Sequence, residues 1–232
     1  SINSLTIGRG AGNVSTNTTV GDGALAANTT GLSNTAIGKS ALSANTTGKR
    51  NTSVGLNSLI SNTTADDNTA IGRDGLYNNT TGTRNVSSGY QALTGNTTGS
   101  YNVANGSQAL YTNTTGSNNV AIGKASLYSN TTAANNTSIG DASLYSNTTG
   151  TQNTASGSTA LYTNTTGGYN TASGYQSLYL NTTGSRNAAF GLKALYSCTT
   201  GTNNTAVGVD ALYAVTTCSS QQGNVAVGDQ AG

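Results

Sequence analysis

Residues able to carry acid–base, nucleophilic or metal chemistry are scarce in this 232-residue chain, which has no His and no Glu. Two carboxylates on neighbouring turns of a repeat can act as an acid and base pair. The seven Asp are Asp22, Asp66, Asp67, Asp74, Asp141, Asp210 and Asp229. Most occupy variable places of the repeat described below, where a solvated charge is the simpler interpretation. The sequence therefore predicts no catalytic residue, no metal site, no cofactor and no enzyme.

The two cysteines are the most localised chemical feature. Cys198 takes a place that is Asn in most copies of the repeat, and Cys218 lies about one turn further along the chain. At that separation their Cα atoms can come within disulfide range. We predict a disulfide between Cys198 and Cys218, which implies an oxidising environment. The alternative is two buried thiols in a cytosolic assembly.

Asn-Thr-Thr recurs in ten copies, and each occurrence matches the acceptor pattern for N-linked glycans. The ten residues are Asn28, Asn45, Asn62, Asn79, Asn96, Asn113, Asn130, Asn147, Asn164 and Asn181. In a source that glycosylates Asn, they predict a sugar-coated filament. The alternative is structural, because Asn tolerates left-handed backbone and hydrogen-bonds its own turn.

Tyrosine also forms a column. Eight copies carry it at one place: Tyr77, Tyr111, Tyr128, Tyr145, Tyr162, Tyr179, Tyr196 and Tyr213. The functional interpretation is a platform for sugars, and the favoured one is a structural ladder that covers the interior and keeps each hydroxyl at the rim. Four others lie outside that column and are the candidate receptor or glycan contacts: Tyr90, Tyr101, Tyr169 and Tyr175.

These features recur because the chain is a repeat. Copies begin with Asn every seventeen residues from Asn17 to Asn187, so residues 17–203 hold eleven copies. We number the places of each copy from this Asn in the consensus Asn-Thr-Ala-Ile-Gly-x-x-Ala-Leu-Tyr-x-Asn-Thr-Thr-Gly-x-x. Residues 1–16 are predicted to form a shortened first turn. Residues 204–232 are predicted to form a longer variant turn and a partial terminal turn.

A period of seventeen residues is typical of a β-solenoid or β-roll, whereas helical repeats need more than about 30 residues. The fold class predicted is therefore all-β. With strands roughly 4.8 Å apart, about thirteen turns predict an elongated rod on the order of 60 Å long. Leu at the ninth place and small residues at the third and eighth are expected inside. Gly at the fifth place predicts positive φ or a backbone too close for a Cβ atom.

The composition excludes two classes of function. Charged residues make up 7% of the chain, so no basic patch exists to neutralise phosphates, and we expect no nucleic-acid partner. No stretch approaches the roughly 20 apolar residues that a membrane helix needs, so the chain is not expected to span a bilayer. Each turn offers about two large apolar side chains for burial, and this thin core favours self-association.

The fourth place alternates between apolar and polar blocks: Val20, Ile37, Val54, Ile71, Ser88, Asn105, Ile122, Ile139, Ser156, Ser173, Phe190 and Val207. Such a column is unusual for the interior of one thin solenoid. It suits a column that faces a symmetry axis, where three identical side chains meet in a homotrimer. The alternative is a plain exposed column.

The stretches "NTAIGKSAL", "NTAIGRDGL" and "NTAVGVDAL" resemble repeats of bacteriophage tail-fibre proteins, notably those of aquatic phages, and "LTIGRGAGNVSTNTTVGDGAL" is similar to how such regions begin. Asn-Thr-Ala-Ile-Gly more distantly resembles the β-roll head of trimeric autotransporter adhesins, whose repeats are shorter. The resemblance implies a homotrimeric fibre on a virion tail or an extracellular surface. Its implied partner is a host cell-surface glycan or an outer-membrane receptor. It also favours the structural interpretation of the ten Asn.

Three functions follow from these observations. The first is a structural or adhesive fibre shaft of a phage tail or cell-surface appendage, which positions or contributes to host binding. The alternatives are a self-assembling glycosylated extracellular filament and a carbohydrate-binding module. Contiguous Thr-Thr pairs would face opposite sides of a strand, so an ice-binding surface is disfavoured.

Overall fold

The computed structural model describes residues 7–215, 218 and 223–232, and over these residues the chain is all-β. A single 3₁₀ turn at Ala11–Asn13 is the one helical segment among them. The chain divides into two compact units, Ser1–Thr115 and Gly116–Gly232, and each is described by itself.

One two-residue strand precedes the first copy of the repeat, and each copy contributes one three-residue strand. In the first unit these are β1 (Ile7–Gly8), β2 (Thr18–Val20), β3 (Thr35–Ile37), β4 (Thr52–Val54), β5 (Thr69–Ile71), β6 (Val86–Ser88) and β7 (Val103–Asn105). In the second they are β8 (Val120–Ile122), β9 (Thr137–Ile139), β10 (Thr154–Ser156), β11 (Thr171–Ser173), β12 (Ala188–Phe190), β13 (Thr205–Val207) and β14 (Val225–Val227).

Within each unit, strands from consecutive copies pair in parallel with no shift in register. Thr35 stands opposite Thr52 in the first unit, and Thr154 stands opposite Thr171 in the second. Identical places therefore stack above one another as columns. The prediction of a β-solenoid with seventeen-residue turns is confirmed, and the homotrimer stays a prediction.

The chain departs from the repeat before Asn17 and after residue 203. Strand β1 runs antiparallel to β2, with Ile7 opposite Val20, which a shortened copy of the repeat does not predict. The variant turn keeps the parallel pairing, because Thr205 stands opposite Val225. The extra residues of that turn therefore lie between β13 and β14 and leave the strand register intact.

The interior of each unit is built from six places. Leu at the ninth place is fully buried from Leu25 to Leu195, and the small residues of the third and eighth places pack beside it. Asn at the first and twelfth places and the small residue at the fifteenth complete the buried set. The strand's middle residue points inward and its two neighbours point outward, as the pleat of a β-strand requires.

The Asn columns supply the interior with hydrogen bonds. Asn51 shows the pattern of the first place: its main-chain N–H donates to Asn34 Oδ1 at 3.0 Å and its Nδ2 donates to Ala65 O at 2.8 Å. Its own Oδ1 accepts from the main-chain N–H of Asn68 at 3.0 Å. A buried main-chain group that lacks a partner costs free energy, and from Asn34 on this column supplies a partner for the main-chain N–H that begins the next turn.

Backbone conformation confirms one prediction and adds a feature that the sequence did not indicate. Gly38, at the fifth place, has φ 128°, and a Cβ atom there would lie 2.5 Å from Gly55 O. Leu at the ninth place is also left-handed, with φ 51° at Leu42 and 50° at Leu144. This conformation costs a residue with a Cβ roughly 1 to 2 kcal/mol, so burial of the Leu side chain must hold it.

Candidate functional site

The outer face of the strands carries the fourth-place column, and the structure leaves it open to solvent. The exposed fraction is 47% for Ile71, 42% for Ile139 and 42% for Phe190. Leu56, Leu192 and Val209 at the sixth place are also exposed beside it. Exposed apolar side chains aligned in a column are typical of a surface that another protein covers. In the single chain the fourth-place column is exposed on the surface. The interpretation that it faces a symmetry axis requires further copies of the chain.

The four candidate contact tyrosines are all exposed, between 45% for Tyr90 and 56% for Tyr169. They occupy two columns: Tyr90 and Tyr175 stand at the sixth place, and Tyr101 and Tyr169 at the seventeenth. An arginine one turn away covers three of the rings. The distances from guanidinium carbon to ring centroid are 5.6 Å for Arg73 over Tyr90, 5.2 Å for Arg84 over Tyr101 and 5.9 Å for Arg186 over Tyr169.

The tenth-place tyrosines stack as a ladder in the second unit. From Tyr128 to Tyr213 the ring centroids are 5.0 to 5.3 Å apart and the planes are within 20° of parallel. The rings from Tyr128 to Tyr196 are half-buried, and Tyr213 is exposed. Burial raises the pKa of Tyr179, and the neighbouring phenols Tyr162, Tyr196 and Tyr175 raise it further. This arrangement supports the structural interpretation of the column in that unit.

The ten Asn of the Asn-Thr-Thr pattern are buried, with at most 1% of their surface exposed. Asn45 illustrates their contacts: its Nδ2 donates to Asn28 Oδ1 at 3.0 Å and to Gly48 O at 3.1 Å. An N-linked glycan is attached through this same nitrogen, which has neither the space nor a spare hydrogen in the folded turn. Burial and these hydrogen bonds favour the structural interpretation of the ten Asn over glycosylation.

Asp66 and Asp67 form an ion-pair network on the surface of the first unit. Arg50 Nε donates to Asp67 Oδ1 at 2.5 Å, and Arg50 Nη2 lies 3.2 Å from Asp66 Oδ2. Arg84 Nε lies 4.0 Å from Asp67 Oδ2. The seventeenth place thus alternates in charge along three turns. The hydrogen bonds from Arg50 lower the pKa of Asp67 below its ordinary value, and Arg84 adds a smaller contribution.

Replacing Arg50 by Gln is expected to raise the pKa of Asp67 toward its ordinary value. Because the folded-state pKa of Asp67 is lowered, the stabilisation from this pair is present above the unfolded-state pKa of about 4. It is lost as the pH falls through the lowered pKa. A carboxyl-detected NMR titration measures the shift. Arg84→Gln is the control and should move the pKa less, and an equal shift in both variants would contradict the assignment to Arg50.

Cys198 and Cys218 are joined by a disulfide, and their Cα atoms are 5.7 Å apart. Cys198 stands where other turns have the twelfth-place Asn. The consequence appears one turn below, where Asn181 Oδ1 is buried without a hydrogen-bond partner. The covalent bond therefore replaces one step of the Asn ladder at the turn where the repeat lengthens.

Reduction of this disulfide is expected to lower the free energy of unfolding by about 3 kcal/mol, because the bond closes a loop of some 20 residues. Thermal melting with and without a phosphine reductant measures the change. The Cys198→Asn variant restores the ladder residue and should recover part of the loss. Identical melting of oxidised and reduced protein would show that the bond contributes nothing.

Two neighbouring columns of the surface carry features that the sequence interpretation missed. The seventh place carries planar polar side chains on four successive turns, Asn57, Asp74, Gln91 and Gln108. Beside it, the tenth-place Tyr column is interrupted once, by Thr94 between Tyr77 and Tyr111. Aligning the copies shows both, but only the structure shows that the seventh and tenth places share one cavity.

Over the described ranges, no three His, Cys, Asp or Glu side chains lie close enough to hold a metal ion. A helix of the length and hydropathy needed to cross a membrane is likewise absent from the described part of the chain. Comparison of the chain with protein-family models, curated proteins and solved structures returned no match.

Proposed function

We propose that this chain is the shaft of a self-associating fibre, in which three copies meet along the fourth-place column. The observation that carries the proposal is the exposed apolar column on the outer strand face. Ile37, Ile71, Ile122, Ile139 and Phe190 are each at least 38% exposed. Burying such side chains stabilises association by roughly 1.5 to 3 kcal/mol each. Among the described residues, the apolar side chains buried inside a single chain are the ninth-place Leu and small residues.

The role of the shaft is mechanical. Main-chain hydrogen bonds, Asn ladders and the Leu column recur through the eleven seventeen-residue copies, with one step of the Asn ladder replaced at Cys198. Adding copies of the repeat therefore adds length without changing the cross-section of the turn. The seventeen-residue motifs support a fibre of the phage-tail or cell-surface kind. The Cys198–Cys218 disulfide supports an oxidising, extracellular setting. The exposed tyrosines Tyr90, Tyr101, Tyr169 and Tyr175 supply contacts for a host glycan or outer-membrane receptor.

A double substitution, Ile122→Ser with Ile139→Ser, tests the self-association. Serine already occupies this place at Ser156 and Ser173, so the turn tolerates it, and circular dichroism should be unchanged. We expect the dissociation constant of the assembly, measured by analytical ultracentrifugation, to rise by at least about tenfold, since each lost Ile contact is worth more than the 1.4 kcal/mol that a tenfold change requires.

Leu32→Ser is the matched control. Leu32 is 44% exposed but stands at the sixteenth place, away from the outer strand face. It should assemble like the unsubstituted chain. An Ile122/Ile139 variant that assembles as tightly as the control would remove the fourth-place column as the interface.

A further inference from the structure

The interruption at Thr94 leaves out one ring of the tyrosine column in the first unit. In the second unit, where the column is continuous, successive rings are 5.0 to 5.3 Å apart. Tyr77 and Tyr111 stand two turns apart with only a threonine between them. Thr94 carries no ring, and its hydroxyl donates to the main-chain oxygen of Asp74 at 2.9 Å. The column therefore has a gap about as thick as one six-membered ring.

The floor beside this gap is polar, and its side chains are hydrogen-bonded to one another. Asp74 is 8% exposed, and its two carboxylate oxygens accept from Asn57 Nδ2 at 3.2 Å and from Arg73 Nε at 3.0 Å. One turn further along, Gln91 Oε1 accepts from Gln108 Nε2 at 3.3 Å. Each carboxylate oxygen keeps a second lone pair, and the Gln91 amide keeps its N–H donors. The floor thus offers acceptors and donors in fixed positions.

One cavity of about 400 Å³ lies beside Tyr77, Thr94 and the polar floor. Its lining includes Asn57, Arg73, Asp74, Tyr77, Gln91 and Thr94, all within the first unit. Small-molecule sites in proteins have volumes of about 300 to 1,000 Å³ and combine aromatic walls with a few fixed polar groups. This cavity has the size and composition of a site for one small ring.

We propose that this cavity binds a single neutral pyranose ring. The apolar face of the sugar stacks on the Tyr77 ring in the space that a tyrosine would otherwise fill. Neighbouring hydroxyls donate to the Asp74 carboxylate and accept from the amide of Gln91, a pairing that requires both donor and acceptor on the protein. The site rests on the adhesive part of the proposed function and names its ligand class, whereas the self-association of the shaft does not depend on it.

The second unit provides the comparison within the same chain. There the seventh place carries Ala125, Ala142 and Thr159 where the first unit has Asn57, Asp74 and Gln91. The tenth-place column is filled beside these residues by Tyr145, Tyr162 and Tyr179. The polar floor and the missing ring occur together in the first unit. Both are absent from the turns of the second unit that contain Ala125, Ala142 and Thr159.

The test is binding of methyl glycosides of glucose, galactose and N-acetylglucosamine to the full chain. Amide chemical shifts of labelled protein report the position and the dissociation constant. Thr94→Tyr fills the gap with the residue that the column uses elsewhere, and should weaken binding at least about tenfold while leaving the fold unchanged. Gln91→Ala introduces the residue found at Ala125 and Ala142 and should also weaken binding. This variant tests the site even if Thr94→Tyr fails to fold.

Tyr162→Thr opens an equivalent gap in the second unit without the polar floor, and it should not create a second site. The proposal is overturned if none of the three glycosides shifts the amides of the cavity residues, or if Thr94→Tyr binds as tightly as the unsubstituted chain. Binding by Tyr162→Thr at its new gap, or binding of adenosine in place of the sugars, would also overturn it. Sedimentation of the same samples reports self-association separately. A chain that assembles but does not bind the glycosides would overturn only the sugar site, and a chain that does not assemble would overturn the proposed fibre.

Discussion

Replacing Asn68 by Ala is expected to lower the free energy of unfolding by about 2 to 4 kcal/mol, because it leaves a buried main-chain donor unpaired and removes further buried hydrogen bonds. Asn68 Oδ1 accepts from the main-chain N–H of Asn85 at 2.9 Å, and Asn68 Nδ2 donates to Gly82 O at 2.8 Å. Gly82 O keeps a second donor, Asn79 Nδ2, at 2.9 Å. The orphaned N–H of Asn85 is therefore the main source of the loss.

The matched control is Asn78→Ala, since Asn78 is exposed on the same turn and contributes no side chain to the ladder. Urea unfolding of both variants gives the comparison, and the control should stay within about 0.5 kcal/mol of the unsubstituted chain. If Asn68→Ala lowers the free energy of unfolding no more than Asn78→Ala does, the Asn ladder does not stabilise the bends.

Leu59→Ala is expected to cost about 2 to 5 kcal/mol, the range for truncating a buried Leu in a close-packed core. Leu59 is fully buried and has φ 50°. The left-handed backbone costs Ala and Leu alike, but only Leu offsets it with buried side-chain contacts. The variant therefore loses packing and keeps the conformational cost.

Leu32→Ala serves as the comparison for this substitution, because the Leu32 side chain is 44% exposed in the same unit. Its midpoint in urea should barely change, whereas the midpoint of Leu59→Ala should fall clearly. Similar losses at the two sites would contradict the assignment of the ninth-place column as the core.

The columns were predictable from the sequence because each place keeps its residue type from turn to turn. Leu at the ninth place and Gly at the fifth have one role in every copy, so the interior position of Leu42 and the positive φ of Gly38 followed from the residue types. The seventeen-residue spacing also fixed the strand register, since a shift would break every column at once.

Other features depend on contacts that residue types do not encode. Positive φ at the ninth-place Leu, as at Leu59, is not a preference of that residue and arises from the shape of the whole turn. The antiparallel direction of β1 was missed for a similar reason, because two residues of strand carry no sign of their direction. The cavity at Thr94 required knowing that the seventh and tenth places are neighbours.

The candidate contacts were predictable in part. The exposure of Tyr101 and Tyr169 was predictable because both residues lie outside the tenth-place column. The cation–π contacts of Arg84 and Arg186 with these rings were not predictable from the sequence. The Asn-Thr-Thr pattern had two interpretations that the sequence could not separate, because a glycan acceptor and a ladder residue can have the same residues in the same order. Burial of Asn45 and the two hydrogen bonds from its Nδ2 distinguish them.

The most direct measurement of the central claim is the mass of the protein under native and then denaturing conditions. An unmodified trimeric shaft predicts a native mass of three chains and a denatured mass near 23.0 kDa for each. A native mass of one chain at all accessible concentrations would contradict the proposed fibre. Excess mass on the denatured chain that an N-glycan hydrolase releases would contradict the buried Asn ladder.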